Sequence, residues 1–312
     1  IDDSPVASPD TVKIVNRNFY VDDASKSNPE PHEAPQQINN LTESIKLNSF
    51  HLHKIMSNQP SVLASIPEER RAKEARCLTE HPQDIEGKVM GVQWNVSQDT
   101  LHFTIPDFCA DQLSLRKMLS TIPSLYDPPG LVNCMLIPGK VLMQDAVRLG
   151  LSWDDPVPEQ IQRHWSKWLT SLKSIEQVSI PRCIKPYQFN HSLMEHHLFM
   201  DSSSQCYGVC AYIRCVNGDG QCHTQLIMSK AKVAPIKSIS IPRLELQACV
   251  VASRLFTTIV EELDITFNKT YFWSDSKVAL AYIKNQTSRY HTYVSNRVGE
   301  IRTVTSPSDW YY

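Results

Sequence analysis

"HHLFMDSSSQCYGVCAYIRC" (residues 196–215) carries apolar residues on both sides of a short polar break, so it reads as two strands, "HHLFMDSS" and "YGVCAYIRC", joined by a tight turn. "TQLIMSKA" follows as a third strand. In "PRLELQACVVASRLFTTIVEEL", Leu244, Ala248, Val251, Leu255 and Ile259 recur at steps of 4, 3, 4 and 4, the stripe of a long helix with Pro242 expected at its first position. "KTYFWSD" is a fourth strand and "SKVALAYIKN" a second helix. Tyr290, Val294, Val298 and Ile301 mark a third helix before the final "DWYY". The order β-β-β-α-β-α-α predicts an α/β sheet with helices on its faces.

Three acids in this half stand where such a sheet collects chemistry. Asp201 closes the first strand, Asp275 closes the fourth, and Glu245 is placed in the first turn of the long helix. Functional groups gather outside the carboxyl ends of strands in open α/β sheets. If the first and fourth strands are parallel neighbours, the two Asp meet, and a helix over that edge adds Glu245. Like charges that close raise one another's pKa, and hard divalent cations resolve the conflict. The competing reading is that each Asp caps a turn or helix start, since each precedes a Ser.

Upstream of a boundary near 180–192 the pattern is less regular. Residues 1–15 show no clear period and are expected to be a loop or broken edge. Phe19-Tyr20-Val21 then forms a short strand running into Asp22-Asp23, followed by the polar, Pro-rich "SKSNPEPHEAP". Ile38, Leu41, Ile45 and Leu47 give a helical stripe, and "RRAKEARC" (70–77) is a solvated helix or loop. "GKVMGVQWNVSQDTLHFTI" alternates as a β-hairpin. Leu115, Met118, Leu119, Ile122 and Leu125 mark a helix stopped by "YDPPG". Ile161, Trp165, Trp168, Leu169 and Leu172 mark another, whose tryptophans are core by their spacing.

The 312 residues suffice for about two domains. No apolar run approaches the ~18 residues of a membrane span, and no membrane partner is expected. A net charge of -2 and a pI of 6.6 leave any nucleic-acid surface to local patches. Nine cysteines without a Cys-x-x-Cys pair fit reduced thiols in a cytoplasmic or nuclear compartment. Cys206, Cys210, Cys215 and Cys222 with His196, His197 and His223 assemble into a zinc site on paper, but at spacings that match no common zinc pattern. The absence of Asp-Thr-Gly and Asp-Ser-Gly argues against an aspartic peptidase.

"LFMDSSSQCYGVCAY", "SISIPRLELQACVVASRL", "YFWSDSKVALAYI" and "SNRVGEI", in that order, resemble the ribonuclease H domain of BEL/Pao-type retrotransposon polyproteins. "YVDD", "FHLHKIMSN", "GVQWN", "LRKMLSTIPSLYDPPGL", "GKVLMQD" and "LSWDDPVPEQIQRHWSKWL" resemble the end of the reverse transcriptase in the same polyproteins. The resemblance implies an α/β and α+β multidomain chain, with a partial polymerase palm and thumb followed by a ribonuclease H-like mixed sheet and flanking helices. Its parts would be the palm at 1–85, a thumb or connection at 86–185 and the nuclease at 192–312.

It further implies that Asp22, Asp23, Asp201, Glu245 and Asp275 are catalytic metal ligands, holding two magnesium or manganese ions per site for phosphoryl transfer. Tyr20, Lys54, Trp94, Arg116, Lys117, Asn296 and Arg297 would contact nucleic acid, and the partners would be an RNA/DNA hybrid, a primer-template and the rest of the polyprotein in a virus-like particle. Compared with the family, one polymerase Asp is expected before Ile1, since Asp2, Asp3 and Asp10 lie in no apolar strand, and one nuclease Asp after Tyr312. The chain is therefore expected to be an impaired fragment. The alternative is a degenerate or domesticated nucleic-acid-binding or interaction module without catalysis.

Overall fold

Ser8 accepts a hydrogen bond from Thr11 N, and Pro9 presets the first helical φ, so a helix begins where a loop was expected: α1 (Pro9–Asn18). It buries only Thr11 and Ile14, too few apolar positions to show a period. The computed structural model describes residues 8–73, 86–89, 92–108, 112–190, 192–285, 287 and 289–312. Asp2, Asp3, Met90, Gly91 and the "EARC" end of "RRAKEARC" lie outside the described residues. The chain divides into two compact units, 1–104 with 176–183, and 105–175 with 184–312, so the division runs through the 86–185 region.

In the first unit, β1 (Phe19–Tyr20) and β2 (Asp23–Ala24) form a minimal antiparallel hairpin. Val21 and Asp22 make its turn, with Val21 at φ 57. α2 (Glu33–Lys46) carries the expected stripe, burying Leu41 and Ile45 against Ile14, while Leu47 is left exposed just past the helix end. α3 (Pro60–Ala64) seats Val62 and Leu63 in a small separate cluster. The expected hairpin is extended to four strands: β3 (Glu86–Val89), β4 (Val92–Asn95), β5 (Thr100–His102) and β6 (Ile180–Pro181), all antiparallel. Arg182 closes this sheet by pairing with Asp99 at 2.6 Å and lying over the Trp94 ring.

The second unit begins with helices. Ser114 caps α4 (Leu115–Thr121), which gives way to a 3-10 turn before "YDPPG". α5 (Asn133–Arg148) has no counterpart among the expected helices, because Pro138 and Gly139 interrupt its interior pattern. Gly139 is nevertheless required: a Cβ there would collide with the indole of Trp168 on α6 (Glu159–Leu172). Trp165 and Trp168 are buried with their rings 4.5 Å apart and tilted, and Trp168 Nε1 donates to Met135 O, so both tryptophans are core as their spacing predicts.

The main sheet has the order β11-β10-β7-β8-β9. β7 (Leu193–Ser202), β8 (Cys206–Val216) and β9 (Cys222–Val233) form the antiparallel meander read from the opening stretch. α7 (Ile241–Glu262) crosses to β10 (Lys269–Ser274), which pairs parallel with β7. α8 (Lys277–Lys284), α9 (Thr292–Val304) and the short β11 (Trp310–Tyr311), parallel to β10, complete the unit. One face of this sheet supports the main core, in which Leu198, Leu246, Leu255, Phe272, Ile283 and Trp310 are almost wholly buried. Each such side chain contributes roughly 1.5–3 kcal/mol of burial. The edge of β9 is covered: Ser229 N donates to Pro129 O, and Gln144 on α5 donates to Ala234 O just past the strand. Among the described residues no helix is long and apolar enough to cross a membrane.

Candidate metal centre

β7 and β10 run in register, Phe199 opposite Trp273 and Met200 opposite Ser274, so the chain positions that follow, Asp201 and Asp275, come out at the same end of neighbouring parallel strands. α7 begins at Ile241 with Pro242 second, which puts Glu245 fifth, in the second turn and not the first. That shift turns Glu245 inward, flanked by the buried Leu244 and Leu246. One carboxylate oxygen from each of Asp201, Glu245 and Asp275 lies within 4.8 Å of the others. Asp201 and Asp275 are exposed, whereas Glu245 is buried.

Neither Asp is used up as a cap. Asp201 Oδ1 accepts only its neighbour's N–H, from Ser202 at 2.6 Å. The cap of α8 is Ser276, whose hydroxyl accepts from Ala279 N, and Ser274 accepts from Ser276 N, leaving Asp275 between them for other work. Burial, with smaller contributions from Asp201 and Asp275, raises the proton affinity of Glu245, and the Ser202 side chain partly offsets this. Yet neither Ser202 Oγ nor Glu245 Oε2 makes a well-aligned hydrogen bond, although both are buried. Three hard oxygen donors, one of them orphaned, fit a divalent cation such as magnesium or manganese. One turn on, the wholly buried Cys249 thiol is pushed well above its usual range by burial and then by Glu245, so it is inert packing.

The other expected site residues have mixed fates. Asp22 and Asp23 are exposed on the small hairpin, and the described residues of their unit add no third His, Cys, Asp or Glu to them. Tyr20 and Lys54 are exposed. Trp94 is turned inward instead of being presented, packed with Val96 and donating to Asp99, because alternation on β4 puts its ring on the buried side. Arg116 is engaged in a bidentate pair with Asp154, and Lys117, third in α4, donates its backbone N–H to the capping Ser114 Oγ. Asn296 is exposed on α9, while Arg297 stacks on Tyr293 and donates to Gln247. Among the described residues the cysteines and histidines form no metal-binding group, which disposes of the zinc arrangement there. Nothing in the sequence marks Ser202 or Ser276, each of which merely follows an Asp, or Tyr293, whose partner Arg243 lies 50 residues away.

No curated protein matches the chain. Among solved structures it is similar to RNase H1 from the archaeon Halobacterium salinarum NRC-1 (13% identity, TM-score 0.25, covering 37% of this chain and 81% of that one). It is also similar to a foamy viral protease-reverse transcriptase in complex with double-stranded DNA (15%, TM-score 0.40, 73% and 38%). A third is the N-terminal RNase H domain of a Mycobacterium tuberculosis protein (10%, TM-score 0.24, 36% and 73%). Residues 114–276, from the cap of α4 to the cap of α8, match the Pao retrotransposon-like RNaseH-like domain. That match spans more than half of the chain and includes all three carboxylates, so the chain belongs to this retrotransposon family with its RNase H-like fold.

Proposed function

We propose that the second unit is a nuclease module of a retrotransposon polyprotein, cutting the RNA strand of an RNA/DNA hybrid. The observation that carries this is the convergence of Asp201, Glu245 and Asp275 within 4.8 Å, with a buried carboxylate oxygen of Glu245 left without a partner. When bound there, two magnesium or manganese ions supply an activated water and stabilise the leaving oxygen of a phosphodiester. The protein's own task is placement. Asp201 and Asp275 are held by two strands whose register leaves them no freedom along the chain, and Glu245 is fixed by core residues on either side of it on α7.

The test is incubation of the chain with a hybrid labelled on its RNA strand. Cleavage should require magnesium or manganese and stop with a chelator, and manganese binding should be lost in Asp201→Asn. Absence of both metal binding and cleavage would overturn the reading. A non-catalytic binding module has no observation in its favour at this site.

A second reading concerns the first unit, which we read as descended from a polymerase palm. A β-branched residue at φ 57 costs on the order of 1–3 kcal/mol, and Val21 holds that conformation in the very turn that presents Asp22 and Asp23. Strain of this kind supports a functional hairpin. Primer extension on a primer-template measures it: extension should fall in Asp22→Asn with Asp23→Asn, and extension unaffected by that pair would remove the hairpin from any polymerase role.

A further inference from the structure

Side chains alternate along the strands of the main sheet, so the positions between its core residues form a second, outer face. His197 and Phe199 on β7, Tyr212 on β8, Tyr271 and Trp273 on β10 and Tyr311 on β11 all stand there. His197 and Tyr271 are register partners, their rings 4.7 Å apart and 5° from parallel, and Phe199 and Trp273, also partners, are 6.2 Å apart. Tyr311 lies 5.5 Å from Tyr271 and 5.2 Å from Trp273. Hydrogen bonds fix the set: Trp273 Nε1 donates to His197 Nδ1 at 3.1 Å, and Glu195 accepts from Arg214 and, at 3.4 Å, from the Tyr271 hydroxyl. Phe199 is nevertheless 44% exposed, beside a hollow of about 430 Å³ lined by His197, Phe199, Tyr212, Arg214 and Thr224. An apolar face that is ordered and still exposed marks an interaction surface.

Part of this face is already closed. Burial first, then Cys210 and the α5 residue Cys134, hold the Tyr212 hydroxyl above its usual pKa, so α5, packed along β9, stands over the β8–β9 half. The other half, over β7, β10 and β11, spans two strand spacings, about 10 Å, which is the width of one helix. Its β11 side is rimmed by cations. Lys269 Nζ lies 4.6 Å from the centre of the Tyr271 ring, Lys284 Nζ 6.0 Å from that of Tyr311, and Lys277 Nζ 5.0 Å from that of Tyr312. Among the described residues none of the three lysines pairs with a carboxylate.

These features choose among occupants. Single-stranded nucleic acid would suit the lysines, but it binds by laying bases on open ring faces, and His197 and Tyr271 turn theirs to each other. A second copy of the chain, meeting this one through the same face, would bring a second basic rim and no free acid, because Glu195 is engaged by Arg214 and Tyr271. We propose that the outer face over β7, β10 and β11 docks one amphipathic helix of a partner polypeptide, apolar where it meets Phe199 and Trp273 and carboxylate-bearing where it meets Lys269, Lys277 and Lys284. Helices cover sheets in layers, and α7 already does so on the inner face. Rings held in place beforehand lose little freedom when the helix arrives, which favours binding.

The test uses the full chain and two fluorescein-labelled helical peptides with the same leucine stripe, one flanked by Glu and the other by Lys, read by anisotropy. Rim charges are individually weak, and three together should make the Glu-flanked peptide bind about tenfold more tightly. Phe199→Ser should weaken that peptide about tenfold with the melting temperature unchanged, since the ring is already half in water. Lys269→Glu with Lys284→Glu should reverse the order of the two peptides. The proposal is overturned if neither peptide binds, if Phe199→Ser binds as the parent does, or if the preference for Glu survives the charge reversal. Two further measurements can also overturn it: binding of labelled oligo-dT that Phe199→Ser abolishes would assign the face to single-stranded nucleic acid, and a dimer in sedimentation that the same variant breaks would assign it to a second copy.

Discussion

Asp22-Asp23 and Asp201 are alike in the one-dimensional pattern, since each follows an apolar run that ends a strand, yet the fold treats them differently. Asp201 is next to last in a ten-residue strand in the middle of a five-stranded sheet, paired with Gly208 of β8 and one position past the register with β10. Asp22 and Asp23 sit on a hairpin of two-residue strands, exposed, with a strained Val21 beside them. A carboxylate becomes a metal ligand when long elements force others to meet it, and only the sheet does this within the described residues. The sharpest way to break the contrast is by substitution. Asp201→Asn should reduce metal-dependent cleavage of hybrid RNA by about 10²–10³ fold, the loss typical of removing one charge-stabilising group. Asp22→Asn with Asp23→Asn should leave that cleavage unchanged, and an equal loss in the two variants would show that the units do not work separately.

The rigidity attributed to β7 can be tested through a residue that takes no part in the chemistry. His196 is wholly buried, with both ring nitrogens unpartnered, and is stacked on Phe267 at 4.6 Å and on Phe256 at 6.0 Å. Burial first, and then the neighbouring His197, pull its pKa down to about 4. The folded protein therefore keeps His196 neutral in a range where the unfolded chain binds a proton. Its stability contribution is complete above the unfolded value of about 6.5 and is lost as pH falls from there toward about 4. Over that window β7 amides should lose up to about 3 kcal/mol of hydrogen-exchange protection. His196→Phe should flatten that part of the profile. A profile that keeps its slope in the variant would shift the cause to other groups.

The same contrast explains what could be read in advance. Strands of ten to twelve residues and a helix of 22 leave long periodic traces, so the order of the second unit and two of its three carboxylates follow from alternation and strand ends. Glu245 is less legible: five residues into α7, it depends on where Ser240 and Pro242 start the helix. α5 is hidden by Pro138 and Gly139, the second of which makes room for Trp168. Apart from α2 and the β4–β5 hairpin, the first unit writes little that is periodic, since two-residue strands and a five-residue helix are shorter than any window that detects them. Trp94 shows the converse failure, a conspicuous aromatic whose alternation, properly followed, points inward.

The smallest expected effect is also the one that separates stability from function inside the metal centre. Glu245 is held in a buried position beside two other carboxylates, and its pKa is raised above the ordinary value. For an acid raised in the folded state, the favourable contribution is present at low pH and is lost as pH rises through the folded value. In metal-free buffer near neutrality the charge is therefore a burden on the fold. Glu245→Gln keeps the shape and removes that charge. It should cut cleavage as Asp201→Asn does yet raise the melting temperature of the metal-free chain, by only about 2–4 °C for each ~1 kcal/mol of relieved strain. Added magnesium should narrow the difference, because a cation that binds the parent site stabilises the parent more than the variant. A variant that melts below the parent without metal would mean that Glu245 is a structural acceptor whose partner Ser202 matters more than its charge. The centre would then be a packed polar cluster, no better organised for a metal than the exposed pair on the first unit's hairpin.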